Sequence, residues 1–293
     1  MLGKSRIEPV DYLVIGHITK DLIPGGYSLG GTVSYAAHTA RAIGLRVGVV
    51  TSCGPDIEIP QTPGIQYAVF PAEQSTTFEN RQTEKGRVQT LFAQAAQLDL
   101  SCVPDAWRKT PIVHIAPVAR EIDSNLVRSF SNSFVGITPQ GFLRDWDKAG
   151  RVFPTEWPEA SFILEYANAA VLSIEDVQGE EEVLEDMLAS VRILVVTEGA
   201  HGSRLFWNGD VRRFRPPHKE ELEPTGAGDI FATSFFIRMS QTRDPWEAAR
   251  FATQLAANSV TRVGLAGIPT TDEIHSALME VIKTDYDANS YSR

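Results

Sequence analysis

Short apolar runs rich in valine and isoleucine recur along this chain, and helical or irregular segments lie between several of them. DYLVIGHI, RVGVVTSCG, IVHIAP, FVGITP, AAVLSI and ILVVTEG are too short for typical helices and too continuously apolar for half-exposed strands. They read as strands buried on both faces. Between the first two, the alanine-rich stretch from Thr32 to Ile43 reads as a helix with Gly44 as its stop. Strand, helix and strand at this spacing make a βαβ unit, whose strands lie parallel because the crossover is long. The expected fold class is therefore α/β, a doubly wound and mostly parallel sheet flanked by helices. At 293 residues the chain is long enough to be one such domain with a small appendage.

Two stretches, approximately 17–30 and 66–97, break the rhythm with polar, alternating sequence. STTFENRQTEKGRVQTLFA reads as a hairpin turning at Glu84, Lys85 and Gly86. The economical reading is a small two-part β lid over one edge of a single domain spanning 1–293, with a loose polar end TDYDANSYSR.

A net charge of −10 argues against nucleic acid or an anionic membrane as the main partner, since either favours a basic face. Cys53 and Cys102 fit neither a CxxC pair nor zinc-ligand spacing, so both read as small core residues. The beginning MLGKSRIEPV lacks a signal-like apolar stretch, and no run of about eighteen apolar residues occurs, so a cytoplasmic location is the expectation.

The chemistry concentrates in residues 223–231, EPTGAGDIF. Gly226, Ala227 and Gly228 free the backbone to turn, and the apolar run from Ile230 to Met239 then reads as a buried helix. The first N–H groups of that helix lack intrahelical partners and sit at the positive end of its dipole, where a migrating phosphoryl group would be stabilised. Asp229 falls on the same turn, where a carboxylate can accept the proton of an attacking hydroxyl. The plain alternative is a tight turn followed by an ordinary first-turn acid.

That segment resembles the DTTGAGD signature of the ribokinase-like (PfkB) carbohydrate kinases, and further matches follow in the family's order from Asp21 to the C-terminal helices. The resemblance implies an ATP-dependent kinase with Mg²⁺, with Asp229 as general base and Gly226, Ala227 and Gly228 as the anion cradle. It assigns Asp21 to substrate hydroxyls and Gly30 and Gly31 to the family's GG pair. Tyr35 stands where relatives usually carry asparagine, which points to a different substrate or a reshaped pocket. Asn80, Arg87 and Gln89 fall on the lid hairpin, either closing over substrate or forming a solvated charged edge. Gln140 and Arg144 follow FVGITP on the ligand side of such a sheet, with Arg144 either on phosphate oxygens or on a helix surface.

In SIEDV, Ser173 and Asp176 occupy the positions of the family's N-x-x-E motif, so Mg²⁺ would be held mostly through water and phosphates, with Asp176 nearby. Thr197, Gly199, Gly202 and Thr225 are the nucleotide-phosphate and ribose candidates implied by the resemblance, and the segment with Asn258 and Gly264 either flanks the expected adenine site or is an alanine-rich packing helix. In some relatives potassium sits beside the anion cradle, and here Glu223 and Pro224 replace the acid and threonine that open the signature, so potassium activation is left open. The absence of G-x-x-x-x-G-K-[ST] disfavours a Walker NTPase, and the absence of G-x-G-x-x-G after the first strand disfavours a Rossmann dehydrogenase. The substrate expected is a small sugar or polyol, with a nucleoside or an inositol as the alternative, and a catalytically silent binding protein as the rival outside that class. A homodimer joined lid to lid and a monomer with a solvated lid edge both remain open.

Overall fold

The computed structural model describes residues 7–83 and 86–279, and of residues 82, 83, 86 and 87 the backbone alone. The chain enters in β1 (Tyr12–Ile15), leaves the core for β2 (Thr19–Ile23) and β3 (Gly26–Gly30), and returns through α1 (Thr32–Ala42) to β4 (Val47–Cys53) and β5 (Ile65–Pro71). It leaves again for β6 (Thr77–Thr83) and β7 (Gly86–Ala93), then returns to β8 (Ile112–Ile115) and β9 (Phe134–Ile137). A short excursion, β10 (Arg144–Trp146) and β11 (Val152–Pro154), precedes α2 (Ala160–Leu164), β12 (Ala169–Ser173) and α3 (Glu181–Leu188). The last strands are β13 (Ile193–Thr197), β14 (Ser203–Trp207) and β15 (Asp210–Phe214), followed by α4 (Ala227–Thr242), α5 (Pro245–Ser259) and α6 (Thr271–Ala277).

The large sheet runs β15-β14-β13-β12-β9-β8-β1-β4-β5, and only β14 and β15 are antiparallel to their neighbours. Each apolar run of the sequence supplies one of its parallel strands, and β1, β4 and β8 are buried at every position. On one face, Tyr12, Val14 and Val49 pack with Val33, Ala36 and Ala40 of α1. Beside them Ala169, Val171 and Val195 meet Phe235 and Phe236 of α4 and Ala252 of α5. The opposite face joins Leu13, Val113 and Ile115 to Leu126, Phe130, Ile163 and Met187, so the sheet is doubly wound.

The lid is a second sheet of four strands, ordered β3-β2-β6-β7, with β2 and β6 parallel and the outer pairs antiparallel. One boundary differs from the sequence reading. Residues 66–71 belong to β5, which pairs in parallel with β4 along seven residues and extends the large sheet. Their mixed exposure, which made them look lid-like, is that of an edge strand of the core. The turn at Glu84 and Lys85 and the polar end lie outside the described residues.

Core and lid are joined by a polar neck. The His17 Nδ1 lies 2.6 Å from the Thr76 hydroxyl, and its Nε2 lies 2.8 Å from the Ala96 carbonyl. The Thr76 oxygen also accepts from the Ala95 amide, so His17 ties together three of the four passages between core and lid, the fourth being the junction of β3 with α1. Beside it the fully buried Glu121 carboxylate accepts from the amides of His17, Val118 and Ala119. These three hydrogen-bonding side chains, His17, Thr76 and Glu121, held away from water make the neck a fixed base from which the lid strands project.

Candidate active site

A cavity of about 550 Å³ opens at the C-terminal ends of the parallel strands, between the large sheet and the lid. This is where an open α/β sheet presents loops and helix N-termini to a ligand. Two helices begin at it. α1 starts at Gly31, with φ of 83°, and α4 at Gly226, also with φ of 83°. At Gly226 only glycine fits for a second reason, because a Cβ there would run into the ring of Tyr35. Gly30 is packed as closely against the carboxylate of Asp21, which lies diagonally across on β2, two residues along from its direct partner Thr19.

Asp229 sits on the first turn of α4 and lines the cavity, reachable from the cavity but otherwise enclosed by protein. Burial raises its pKa to about 6. The Thr32 hydroxyl beside it opposes that rise, Asp176 and Asp21 reinforce it, and Arg144 counters it. A carboxylate tuned in this way is ionised at neutral pH yet basic enough to take a proton. Of the cradle amides, Ala227 already donates to the Pro224 carbonyl at 3.1 Å, and Ile230 donates to Gly226 inside the helix. Gly226, Ala227 and Gly228 all line the cavity, with the Ala227 amide already bound within the turn.

At the lid side, Asn80 and Gln89 are cross-strand partners joined by a 2.9 Å side-chain hydrogen bond, and both line the cavity with Asp21. The side chain of Arg87 lies outside the described residues. Phe78 of β6 and Val118 after β8 add apolar walls that sequence reading missed. Gln140 and Arg144 converge on Asp176, at 3.1 Å and 3.9 Å. The Asp176 carboxylate also accepts from the Ser173 amide in a capping box, so the degenerate SIEDV match closes a real turn. Arg144 is on β10 and lines the cavity, so its expected alternative position on a helix surface is not what the fold provides.

Toward the other end the walls become small and apolar. Thr197, Gly199 and Gly202 line it together with Thr225, as do Ala256 and Ala257 of α5 and Val260 just after it. Asn258 and Gly264 are not among the lining residues. The Asn258 carbonyl caps the Thr261 hydroxyl, and the Gly264 amide donates to Glu223 at 2.8 Å. The face of α5 turned to the cavity carries Thr253, Ala256 and Ala257 and leaves Asn258 outside it, a helical phase that alanine-rich sequence leaves undetermined. Tyr35 also departs from expectation. It lines the cavity yet is only 5% exposed, packed with Ile230, Phe251 and Leu255 behind the cradle.

Residues 70–271 match the model of the pfkB family carbohydrate kinases. A cytidine kinase of Thermococcus kodakarensis is 24% identical over 279 residues, covering 87% of this chain and 98% of that protein. An inositol 3-kinase of Oryza sativa subsp. japonica is 35% identical over 79 residues, 27% of this chain and 19% of its own. Among solved structures, a pyrophosphate-dependent kinase of the ribokinase family, complexed with a pyrophosphate analogue and myo-inositol, superposes with a TM-score of 0.77 at 20% identity, covering 91% of this chain and all of that one. That likeness establishes the ribokinase fold, and with the match over residues 70–271 this chain belongs to the pfkB carbohydrate kinase family.

Proposed function

We propose that this protein transfers the γ-phosphoryl group of ATP to a hydroxyl of a small sugar or polyol, with Asp229 as general base. The observation that carries the reading is the placement of Asp229, its pKa raised to about 6, on the first turn of a sixteen-residue helix beside the Gly226–Gly228 turn. Asp229 takes the proton as the hydroxyl oxygen attacks phosphorus, the bond to the bridging oxygen breaks, and ADP leaves with that electron pair. The Gly226 and Gly228 amides and the α4 dipole meet the charge that develops on the transferred group. Asp21, Asn80 and Gln89 are the hydrogen-bonding groups for the other hydroxyls.

Mg²⁺, when bound, would neutralise and bridge the phosphates. Among the described residues no group of three or more His, Cys, Asp or Glu could hold a metal alone. Glu175 and Asp176 fit an ion held chiefly by water and phosphate oxygens.

The small apolar end formed by Gly199, Ala200, Ala256, Ala257 and Val260 suits a flat heteroaromatic base, which favours ATP over pyrophosphate as donor. A nucleoside acceptor is the second reading. It is favoured by the nearly full-length similarity to a cytidine kinase and by Phe78 and Val118, an aromatic and an aliphatic wall near the polar groups. The test is product formation from ribose, fructose, myo-inositol and cytidine, each offered with ATP or with pyrophosphate and Mg²⁺. Turnover with ATP and a sugar or inositol supports the first reading, and cytidine alone moves it to the second. Turnover with pyrophosphate but not ATP removes the donor assignment.

A further inference from the structure

Between β15 and α4 the chain runs through residues 215–226 without a helix or strand. Both ends of this strap are tied to walls of the cavity. Pro216 packs on Gly202, where an added Cβ would lie 2.8 Å from the proline ring. Further along, the Leu222 and Glu223 amides donate to the Val260 carbonyl at 2.8 Å and 3.0 Å, and the Glu223 carboxylate accepts from the Gly264 amide. Residues 217–221 lie between these anchors and make no hydrogen bond or ion pair among the described residues. Pro217, His218, Lys219 and Glu221 nevertheless line the cavity, so the strap crosses its small apolar end from the Gly202 turn to the end of α5.

Charge decides what such a strap can hold. Asp21, Glu175, Glu221 and Asp229 line the same cavity, so a polyphosphate entering it meets carboxyl groups on several sides. Arg144 and Lys219 are the arginine and lysine side chains among the described lining residues. Arg144 stands 3.9 Å from Asp176, whereas Lys219 is exposed and has no carboxylate partner among the described residues. A lysine ammonium is a point charge on a flexible stem, able to follow phosphate oxygens without a fixed geometry. Because the backbone around it is held only at the anchors, the ammonium can move over a ligand without breaking any hydrogen bond of the fold. We propose, on the reading of a nucleotide donor given above, that Lys219 is a donor-binding residue whose ammonium pairs with the donor's phosphate oxygens and draws the strap across them.

The experiment is isothermal titration calorimetry of the full chain with ATP and Mg²⁺, with ADP and Mg²⁺, and with adenosine. Lys219→Ala is expected to weaken ATP and ADP by about fivefold or more and to leave adenosine within about twofold, and Lys219→Arg should regain most of the loss. Glu220 is the next residue of the strap but does not line the cavity, so Glu220→Gln should leave all three ligands within about twofold. Unchanged ATP affinity in Lys219→Ala, an equal loss for adenosine, or a loss that Lys219→Arg fails to reverse overturns the proposal. So does a gain for ATP in Glu220→Gln as large as the loss in Lys219→Ala, which would reduce the effect to net charge. A native protein that binds neither ATP nor adenosine removes the nucleotide reading instead, and Lys219→Ala is then judged by the same loss in titrations with pyrophosphate and Mg²⁺.

Discussion

Asp229 lies at the cavity at some cost to the fold. Its carboxyl has a pKa of about 6 here against 3.8 in the unfolded chain, so the folded state disfavours the ion. Below both values the carboxyl is protonated in both states and no penalty exists. As pH rises through 3.8 toward 6 the unfolded chain releases its proton first, and stability is lost, by up to roughly 3 kcal/mol above pH 6. Asp229→Asn should therefore melt higher than the native protein at pH 8 and near it at pH 4, while turnover falls about a hundredfold or more. Differential scanning fluorimetry and a turnover assay check the two halves. In the native protein, turnover should fall as pH drops through about 6. Tyr35 makes the opposite case, because its ring fills the space against Gly226 and packs with Ile230 and Phe251. Tyr35→Asn is expected to cost about 3 kcal/mol in stability and to lower turnover for every acceptor alike. A change confined to the ratio between acceptors would return Tyr35 to the selectivity role that the sequence suggested. The glycines and Asp229 were legible in advance because backbone freedom and a first-turn acid leave a local mark. Thr32, Phe78, Val118 and Glu121 leave none, since their roles arise from contacts across the fold.

At the scale of elements, the neck is the joint most open to test. His17→Ala removes the partner of the Thr76 hydroxyl and the Ala96 carbonyl, and is expected to cost about 1–3 kcal/mol. Amide exchange should quicken in β6 and β7 while β1, β4 and β8 stay protected. Uniform quickening across both sheets would mean that His17 supports the whole fold and not the joint. The parallel strands were readable because doubly buried strands are continuous apolar runs. Three features were not. β5 alternates between core and solvent, so IQYAVFP carried the pattern of a lid strand. β14 and β15 close the far end of the sheet as a hairpin whose polar, exposed second strand gives no apolar signal. The excursion of β10 and β11 has three residues per strand, too few for any periodicity.

For the whole molecule, net charge and the absence of a long apolar helix among the described residues fit a kinase that meets small ligands in a cleft. Chelator should abolish turnover reversibly, with activity restored by Mg²⁺ alone. A stoichiometric transition metal that survives dialysis against chelator would contradict that expectation. Assembly is a separate matter, and the lid decides what forms it can take. On its outer side β7 is already occupied, since the Leu91 amide donates to the Gly150 carbonyl and Thr90 bridges Arg151 of the β10–β11 excursion. No strand among the described residues pairs with the outer edge of β3. Sedimentation across a range of concentrations should accordingly find monomer or dimer and nothing longer by this route. A sheet with two bare margins can recruit copy after copy into a fibre, but among the described residues the lid has β3 as its one margin met by nothing along its length, so two copies docked β3 to β3 close a pair and growth by that route stops.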